Sequence, residues 1–400
     1  MDSQLSGKKI VLGVTGGIAA YKACWLVRDL IKKGAEVKVV MTPSALQFVQ
    51  PLTFSSLTKN EVIVNIFPSS QENGSTLKTW HIDLALWADL MIIAPCTVNT
   101  VAKIAAGFTD NALLTLVAAL RCPLIIAPAA DMDMYDNKIT RRNFQTLEDL
   151  GYFFVWSEKG ELASGLEGDG RLAELNKIAE AAELVLAGYQ KDLLNKKILV
   201  TAGPTYEDIH PVRFIGNRSS GKMGYSIAKA AYLRGADVTL ITGPSHEISY
   251  PEIKKIEVRS AADMKKAVHN EIPNNDILIM SAAVADYKPA EVSKVKLKKD
   301  EKIDNIKLTP TEDILMSIKD SGKKVIGFAL ETDNEEKNAL TKLKCKNLDM
   351  IVLNSLKDHK SGFEFNTNKI KVIHKNGEQI DFPLQSKFQA ANKILSEILK

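Results

Sequence analysis

Thr15-Gly16-Gly17 stands between an apolar run and an amphipathic stretch, in the order strand, glycine loop, helix. Glycines let a backbone approach a ligand closely and the helix start beyond them attracts an anion, so this segment could cradle a phosphate. Two features speak against a dinucleotide. Gly13-x-x-Gly16-Gly17 is not GxGxxG, and the next strand ends in Thr42-Pro43-Ser44, not in an acid for a ribose hydroxyl. The small hydroxyls of Thr42 and Ser44 suit a mononucleotide, and Thr97, Asn99 and Thr100 offer further hydroxyl and amide donors after a later strand. Taken one at a time, these loops read equally well as ordinary turn and cap residues. His81 opens Trp80-His-Ile-Asp-Leu-Ala. At a helix start a neutral imidazole is favoured and can accept a proton; the alternative is a structural histidine.

The second half offers another anion loop. Gly216-Asn-Arg-Ser-Ser-Gly221-Lys222 fits the GxxxxGK part of a phosphate loop. Met223, however, stands where a magnesium-binding Ser or Thr belongs, and a long loop from Ala202 to Ile215 separates the segment from its strand. That excludes a Walker loop and leaves a donor-rich junction before a helix. Lys288 to Lys307 is rich in lysine without an apolar period, which reads as a flap or a solvated charge run.

The elements that must hold these residues form a diluted internal repeat. Lys9–Val14, a helix over Ile18 to Lys33 and Gly34-Ala-Glu-Val-Lys-Val-Val-Met in the first half are echoed by Lys197–Thr201, Gly224–Arg234 and Gly235-Ala-Asp-Val-Thr-Leu-Ile-Thr in the second. Short apolar runs alternating with helical patterns imply parallel βαβ units, so the fold class is α/β with two Rossmann-like domains. Ligands then sit at the carboxyl ends of the strands. Further strands are expected at Leu90–Ala94, Pro123–Ala127, Asp276–Met280, Lys324–Phe328 and Met350–Leu353. Ile370–His374 and Gln379–Phe382 flank Asn376-Gly377 as a hairpin, and a last helix begins near Gln385. A helix over Ala179–Lys191 closes the first domain and Asp192–Lys196 is a linker, giving domains 1–190 and 191–400.

Four hundred residues exceed one ordinary core, and 45% apolar with 25% charged residues describes a globular protein. A formal charge of +4 is too mild for a nucleic-acid binder, though it tolerates anionic substrates. The first residues lack a signal-peptide core, and no apolar run reaches membrane-span length. Cys24, Cys96, Cys122 and Cys345 show neither disulfide nor zinc spacing. A reducing cytoplasm is the expected compartment.

Thr15-Gly-Gly-Ile-Ala-Ala-Tyr-Lys22, His81-Ile-Asp-Leu-Ala, Ala94-Pro-Cys-Thr-Val-Asn-Thr100 and Pro128-Ala-Ala-Asp-Met-Asp-Met134 occur in an order that resembles the flavin-containing cysteine decarboxylases. The resemblance implies a flavodoxin-like parallel-sheet domain binding FMN through Gly16, Gly17, Thr42, Ser44, Thr97, Asn99 and Thr100, with His81 as catalytic base. It also implies homo-oligomers with flavin sites at subunit contacts. Two positions depart from the family pattern. Asp131 stands for an asparagine, and an ionised carboxylate would repel a substrate carboxylate. Either Asp131 is protonated in the complex or recognition has moved. Ser164 stands where a flap cysteine serves as proton donor, and its hydroxyl would orient substrate or relay a proton.

Thr201-Ala-Gly-Pro-Thr205, Asp208 to Gly224, Ser281-Ala-Ala-Val-Ala-Asp286, Lys296-Leu-Lys-Lys299, Gly327-Phe328-Ala-Leu-Glu331 and Lys342-x-x-x-Lys346-Asn closely resemble the phosphopantothenate–cysteine ligases. Together the two resemblances span nearly the whole chain, as in the fused decarboxylase–ligase proteins of coenzyme A biosynthesis. In that family a carboxylate is activated by CTP as an acyl-cytidylate, pyrophosphate leaves, and the cysteine amine attacks. The resemblance implies that Lys296 neutralises the phosphates and that Asn217 orients the acyl-nucleotide. It places Met280, Ser281, Ala282, Asp286, Asp313, Ile314, Phe328, Lys342 and Lys346 around the nucleotide, with Asp286 also assisting Mg2+. Small molecules are the expected partners. A ligase with an altered or regulatory flavin half stays open beside this, whereas the missing ribose acid disfavours an NAD-dependent reductase.

Overall fold

The computed structural model describes residues 4–67, 79–296, 305–331, 333–355, 362 and 365–400. The chain divides into two compact units, Asp2–Gln190 and Lys191–Lys400. In the first, β1 (Lys9–Val14), β2 (Glu36–Met41), β3 (Leu90–Cys96), β4 (Leu124–Pro128) and β5 (Phe153–Phe154) form a parallel sheet ordered 2-1-3-4-5. The central runs KIVLGV and LMIIAPC are buried almost throughout, as strands covered on both faces must be. Helix Ala20–Lys32 covers the sheet with Ala20, Ala23, Leu26, Val27 and Leu30. It stops at Gly34, whose φ of +91° suits glycine; Gly34 N–H donates to Ile31 O at 2.9 Å and Ala35 N–H to Leu30 O at 3.0 Å. Strand order reverses between β1 and β3, the place where such sheets bind ligands.

The flap position of Ser164 falls in an antiparallel hairpin of β6 (Glu158–Glu161) and β7 (Glu167–Arg171). One local expectation for this unit changes. The closing helix is Leu175–Leu186, and Gly188, at φ +80°, ends it before Lys191.

The second unit contains β8 (Lys197–Ala202), β9 (Tyr206–His210), β10 (Arg213–Gly216), β11 (Asp237–Thr242), β12 (Lys254–Glu257), β13 (Ile277–Met280), β14 (Tyr287–Pro289), β15 (Leu308–Pro310), β16 (Lys324–Glu331), β17 (Met350–Ser355), β18 (Thr367–His374) and β19 (Gln379–Ser386). Its main sheet runs β12-β11-β8-β13-β16-β17-β18-β19, parallel as far as β17 and antiparallel in the final hairpin. Counted along the parallel strands the order is the Rossmann 3-2-1-4-5-6, with its switch point between β8 and β13. Gly377, at φ +93°, makes the Asn-Gly turn of the hairpin. Helices Lys222–Leu233 and Lys387–Leu399 share one apolar core through Ile227, Ala231, Ile394 and Ile398. The first of them repeats the earlier cap: Gly235 has φ +91°, with Gly235 N–H to Tyr232 O at 2.9 Å and Ala236 N–H to Ala231 O at 3.0 Å.

Three further expectations change here. The supposed long loop after Ala202 holds the β9–β10 hairpin, pinned by Tyr206 and Phe214 rings stacked 3.8 Å apart. Asp192 is not free linker, because its carboxylate receives Arg234 Nε at 2.8 Å and Nη2 at 2.7 Å. The lysine-rich stretch begins in β14 and ends just before β15, two strands that pair with each other, and its residues 297–304, including Lys298 and Lys299, lie outside the described residues. Among the described residues no helix is long and apolar enough to cross a membrane.

Candidate functional site

A cavity of about 730 Å3 opens at the β1/β3 switch point of the first unit, lined by Gly16, Gly17, Thr97 and Asp131, among others. Thr15 builds it by joining the two loops: its hydroxyl donates to Pro95 O at 2.8 Å and accepts from Thr97 N–H at 2.9 Å. The Ala94–Pro95 peptide is cis. A Cβ on Gly16 would lie 2.5 Å from Ser44 Oγ, so the loop seats there only as glycine. Thr42 and Ser44 hydroxyls lie 3.1 Å apart behind it. Thr97 caps helix Val98–Ala105 by accepting from Thr100 N–H at 3.4 Å; Thr100 is buried, and Asn99 is exposed on the first turn.

His81 and Ser164 do not line this cavity. His81 is the second residue of helix Trp80–Trp87, its ring edge-on to Trp80 at 5.6 Å. Ser164 sits in the turn of the β6–β7 hairpin, where its Oγ accepts from Leu166 N–H at 3.4 Å, while its neighbours Glu161, Leu162 and Ala163 do reach the cavity. The hairpin is docked on the Asp131 segment: Ala130 N–H donates to Gly170 O at 3.0 Å, and a Cβ on Gly170 would fall 2.2 Å from Ala130 O. Sequence reasoning assigned no role to Lys22 and Arg171, the two cations among the lining residues. Close-approach glycines, a helix start, two cations and the apolar Ile18, Met134 and Leu172 together fit an aromatic cofactor bearing a phosphate.

The second unit carries a cavity of about 510 Å3 at its own switch point, between β8 and β13. Met280, Ser281, Ala282 and Asp286 reach it from the end of β13, Asn217 from the loop after β10. Asp313, Ile314, Phe328, Lys342 and Lys346 line it as well. Lys296 is exposed and is not among the lining residues. Asn217 Nδ2 donates to both Ala283 O and Val284 O at 3.1 Å, and Ala282 N–H donates to Thr201 Oγ1 at 3.2 Å, so the floor is tied before any ligand arrives. Lys342 Nζ donates to Phe328 O at 2.6 Å, and Lys346 pairs with Asp313 at 2.7 Å.

Burial and the neighbouring Lys346 charge push the Lys342 ammonium below the usual lysine range, against the pull of Glu331, Asp313 and Asp286. Burial works to raise Asp313, but its hydrogen bonds from Lys346 and the Met316 amide outweigh this and hold the carboxyl below the ordinary range. Asp286 is exposed, and among the described residues no three His, Cys, Asp or Glu side chains gather as a metal cage. Asn354, Asn368 and Lys387 also line the cavity and were missed in the sequence; they arrive from β17, β18 and the last helix, outside every motif.

Residues 1–186 match the family model described as Flavoprotein, and residues 193–400 match that described as DNA/pantothenate metabolism flavoprotein C-terminal domain. The chain is 43% identical over 399 residues to the coenzyme A biosynthesis bifunctional protein CoaBC of Bacillus subtilis (strain 168), covering 98% of this chain and 97% of that one. It is 44% identical over 358 residues to a cysteine/cysteine sulfinic acid decarboxylase of an unknown prokaryotic organism, covering 88% and 99%. Among solved structures, the C-terminal domain of a coenzyme A biosynthesis bifunctional protein CoaBC shares 41% identity, covering 52% of this chain and 95% of that one, with a TM-score of 0.44.

Proposed function

Because the chain belongs to the family of coenzyme A biosynthesis bifunctional proteins, we propose that its two switch-point cavities are the seats of its two activities. The protein is a bifunctional enzyme: a ligase that joins 4′-phosphopantothenate to cysteine, and a flavoprotein decarboxylase that converts the product to 4′-phosphopantetheine. The observation that carries the assignment to cavities is that each family model covers one unit and each unit holds its cavity where strand order reverses.

In the ligase cavity CTP is the activating nucleotide. The substrate carboxylate attacks its α-phosphorus, pyrophosphate leaves, and the cysteine amine then displaces CMP from the acyl-cytidylate. Phe328, with Ile314 and Met280, gives the base an apolar seat. Lys342 and Lys346 supply point charges, and Asn217, its amide nitrogen held by the Ala283 and Val284 carbonyls, orients the acyl-nucleotide. Asp286 and the substrate phosphates would hold Mg2+. Lys296, the exposed lysine that follows β14, neutralises the phosphates. Lys296→Gln is therefore expected to lower the rate of pyrophosphate release by about 10- to 1,000-fold while leaving carbon dioxide release from the ligated product unchanged. A normal pyrophosphate rate in this variant would remove Lys296 from the mechanism.

In the flavin cavity, Gly16, Gly17 and the Thr97 loop hold FMN, with Thr42, Ser44, Asn99 and Thr100 shaping the loops around it. When bound, the flavin accepts and returns the electrons that let the carboxylate leave. His81 serves as base, Asp131 faces the substrate, and Ser164 orients it from the hairpin turn. Within one chain His81 stands apart from the cavity, which a homo-oligomer resolves if the helix Trp80–Trp87 of a second copy completes the site. Ile18, Tyr21 and Trp25, exposed beside the glycine loop, offer the apolar contact for it. Withholding CTP, phosphopantothenate, cysteine or magnesium in turn, with products identified by mass, tests the whole scheme. The likeness to a cysteine/cysteine sulfinic acid decarboxylase favours a second reading of the flavin half, free cysteine as its substrate. Carbon dioxide released from cysteine without CTP would establish it.

A further inference from the structure

Thr201-Ala-Gly-Pro-Thr205, on which the chain leaves β8, takes no part in the chemistry so far. Both threonines are fully buried, and neither lines the ligase cavity. Beside them β13, which pairs with β8, ends in Ser281-Ala-Ala-Val-Ala-Asp286, and all six of these residues do line it. Between Ser281 and Asp286 the side chains are only alanine and valine, so the segment has no polar side chain with which to fix its own path. Its shape must come from whatever holds its peptide groups.

The threonine motif holds them. Thr201 Oγ1 accepts from Ala282 N–H at 3.2 Å and donates to Met280 Sδ at 3.5 Å. Gly203 O accepts from Ala283 N–H at 2.9 Å, and Thr205 N–H donates to Ala283 O at 3.3 Å. Thr205 Oγ1 accepts from Ala285 N–H at 2.9 Å. Ala285 O in turn accepts from Thr311 Oγ1 at 2.6 Å, so this residue is clamped through both of its polar groups one step before Asp286. The bonds at Ala283 join main chains, and a change of side chain does not delete them. The hydroxyls of Thr201 and Thr205 are the removable part. Losing the second strands the buried Ala285 amide without its acceptor, a cost relieved only if the segment moves.

We propose that Thr201 and Thr205 are positioning residues of the ligase: their hydroxyls hold Ala282 and Ala285, and so set the wall against which the activating nucleotide lies. The inference rests on the ligase reading above and deepens it, by naming what keeps the 281–286 segment in place. That wall meets CTP before any bond changes, so the effect falls on CTP affinity and KM more than on kcat.

Thr205→Val removes the hydroxyl and keeps the branched shape, whereas Thr205→Ser keeps the hydroxyl and drops the methyl. In the full-length protein, Thr205→Val is expected to weaken CTP binding, read by calorimetric titration, by about 10- to 100-fold, the scale of a displacement of about 1 Å. KM for CTP in pyrophosphate release should rise with it while kcat stays within about threefold. Thr201→Val should act in the same direction, and Thr205→Ser should bring CTP affinity back to within about twofold of the parent. A merely structural threonine gives another pattern: phosphopantothenate affinity falls in parallel with CTP affinity, and serine does not rescue. That pattern overturns the inference, as does a folded Thr205→Val that binds CTP like the wild type. Should thermal unfolding show that Thr205→Val has not folded, Thr201→Val with Thr201→Ser decides in its place; failure of both valine variants to fold makes the hydroxyls structural and overturns the inference too. A wild-type protein that neither binds CTP nor releases pyrophosphate from it would overturn the ligase reading itself.

Discussion

Replacing His81 by asparagine is expected to lower carbon dioxide release by about 100- to 10,000-fold, the span over which a positioned acid or base acts. Pyrophosphate release should stay within about twofold of the parent, because the ligase cavity belongs to the other compact unit. The substitution is chosen to spare structure. His81 is half-buried on the second position of its helix and touches the Trp80 ring edge-on, a contact an asparagine loses at small cost. Visible flavin absorbance should therefore be retained, which separates a chemical defect from a lost cofactor. Equal loss of both activities would show that the two sites are not independent. Full carbon dioxide release would show that another group takes the proton.

The second large effect is structural. A methyl group on Gly243 would lie 1.7 Å from Pro204 O and 2.8 Å from the Pro204 carbonyl carbon, both backbone atoms that no rotamer change can move. Gly243 follows β11 and Pro204 follows β8, so the clash forces apart the loops at the carboxyl ends of two paired strands. Gly243→Ala should destabilise the second unit by about 3 kcal/mol or more, at the upper end for overpacking, and abolish ligation. Calorimetric unfolding and pyrophosphate release check this. The flavin-bearing unit should keep its own transition and colour. An unchanged melting profile with normal ligation would mean that the two loops are not held against each other in solution.

These two sites differ in how far the sequence revealed them. The strands that position both cavities were legible because β1, β3, β8 and β13 are continuous apolar runs, and burial on both faces demands that. The Asn376-Gly377 hairpin was legible from its turn. Short strands were not: β6 spells Glu-Lys-Gly-Glu and β10 is largely exposed, so neither shows alternation between an apolar and a polar face. Most of the lining of the second unit's cavity was read from motifs near strand ends. Lys387 escaped because it stands far along the chain from those motifs, and only folding brings it to the cavity. The signal it did leave is the capping box of Ser386 and Gln389, which marks the helix start and so exposes a lysine in an unfavourable place. His81 and Ser164 have the opposite history: the motifs named them, yet a single chain leaves them outside the cavity they were expected to serve.

The glycine-capped exits at Gly34 and Gly235 give the molecule a built-in ruler. The same turn, with matching hydrogen bonds and the same φ of +91°, follows the first helix of each half, so one identical backbone perturbation can be applied on either side. Whatever difference in response emerges belongs to the surroundings rather than to the joint. The two catalytic halves can thus be ranked by robustness within one polypeptide, with no need to cut them apart.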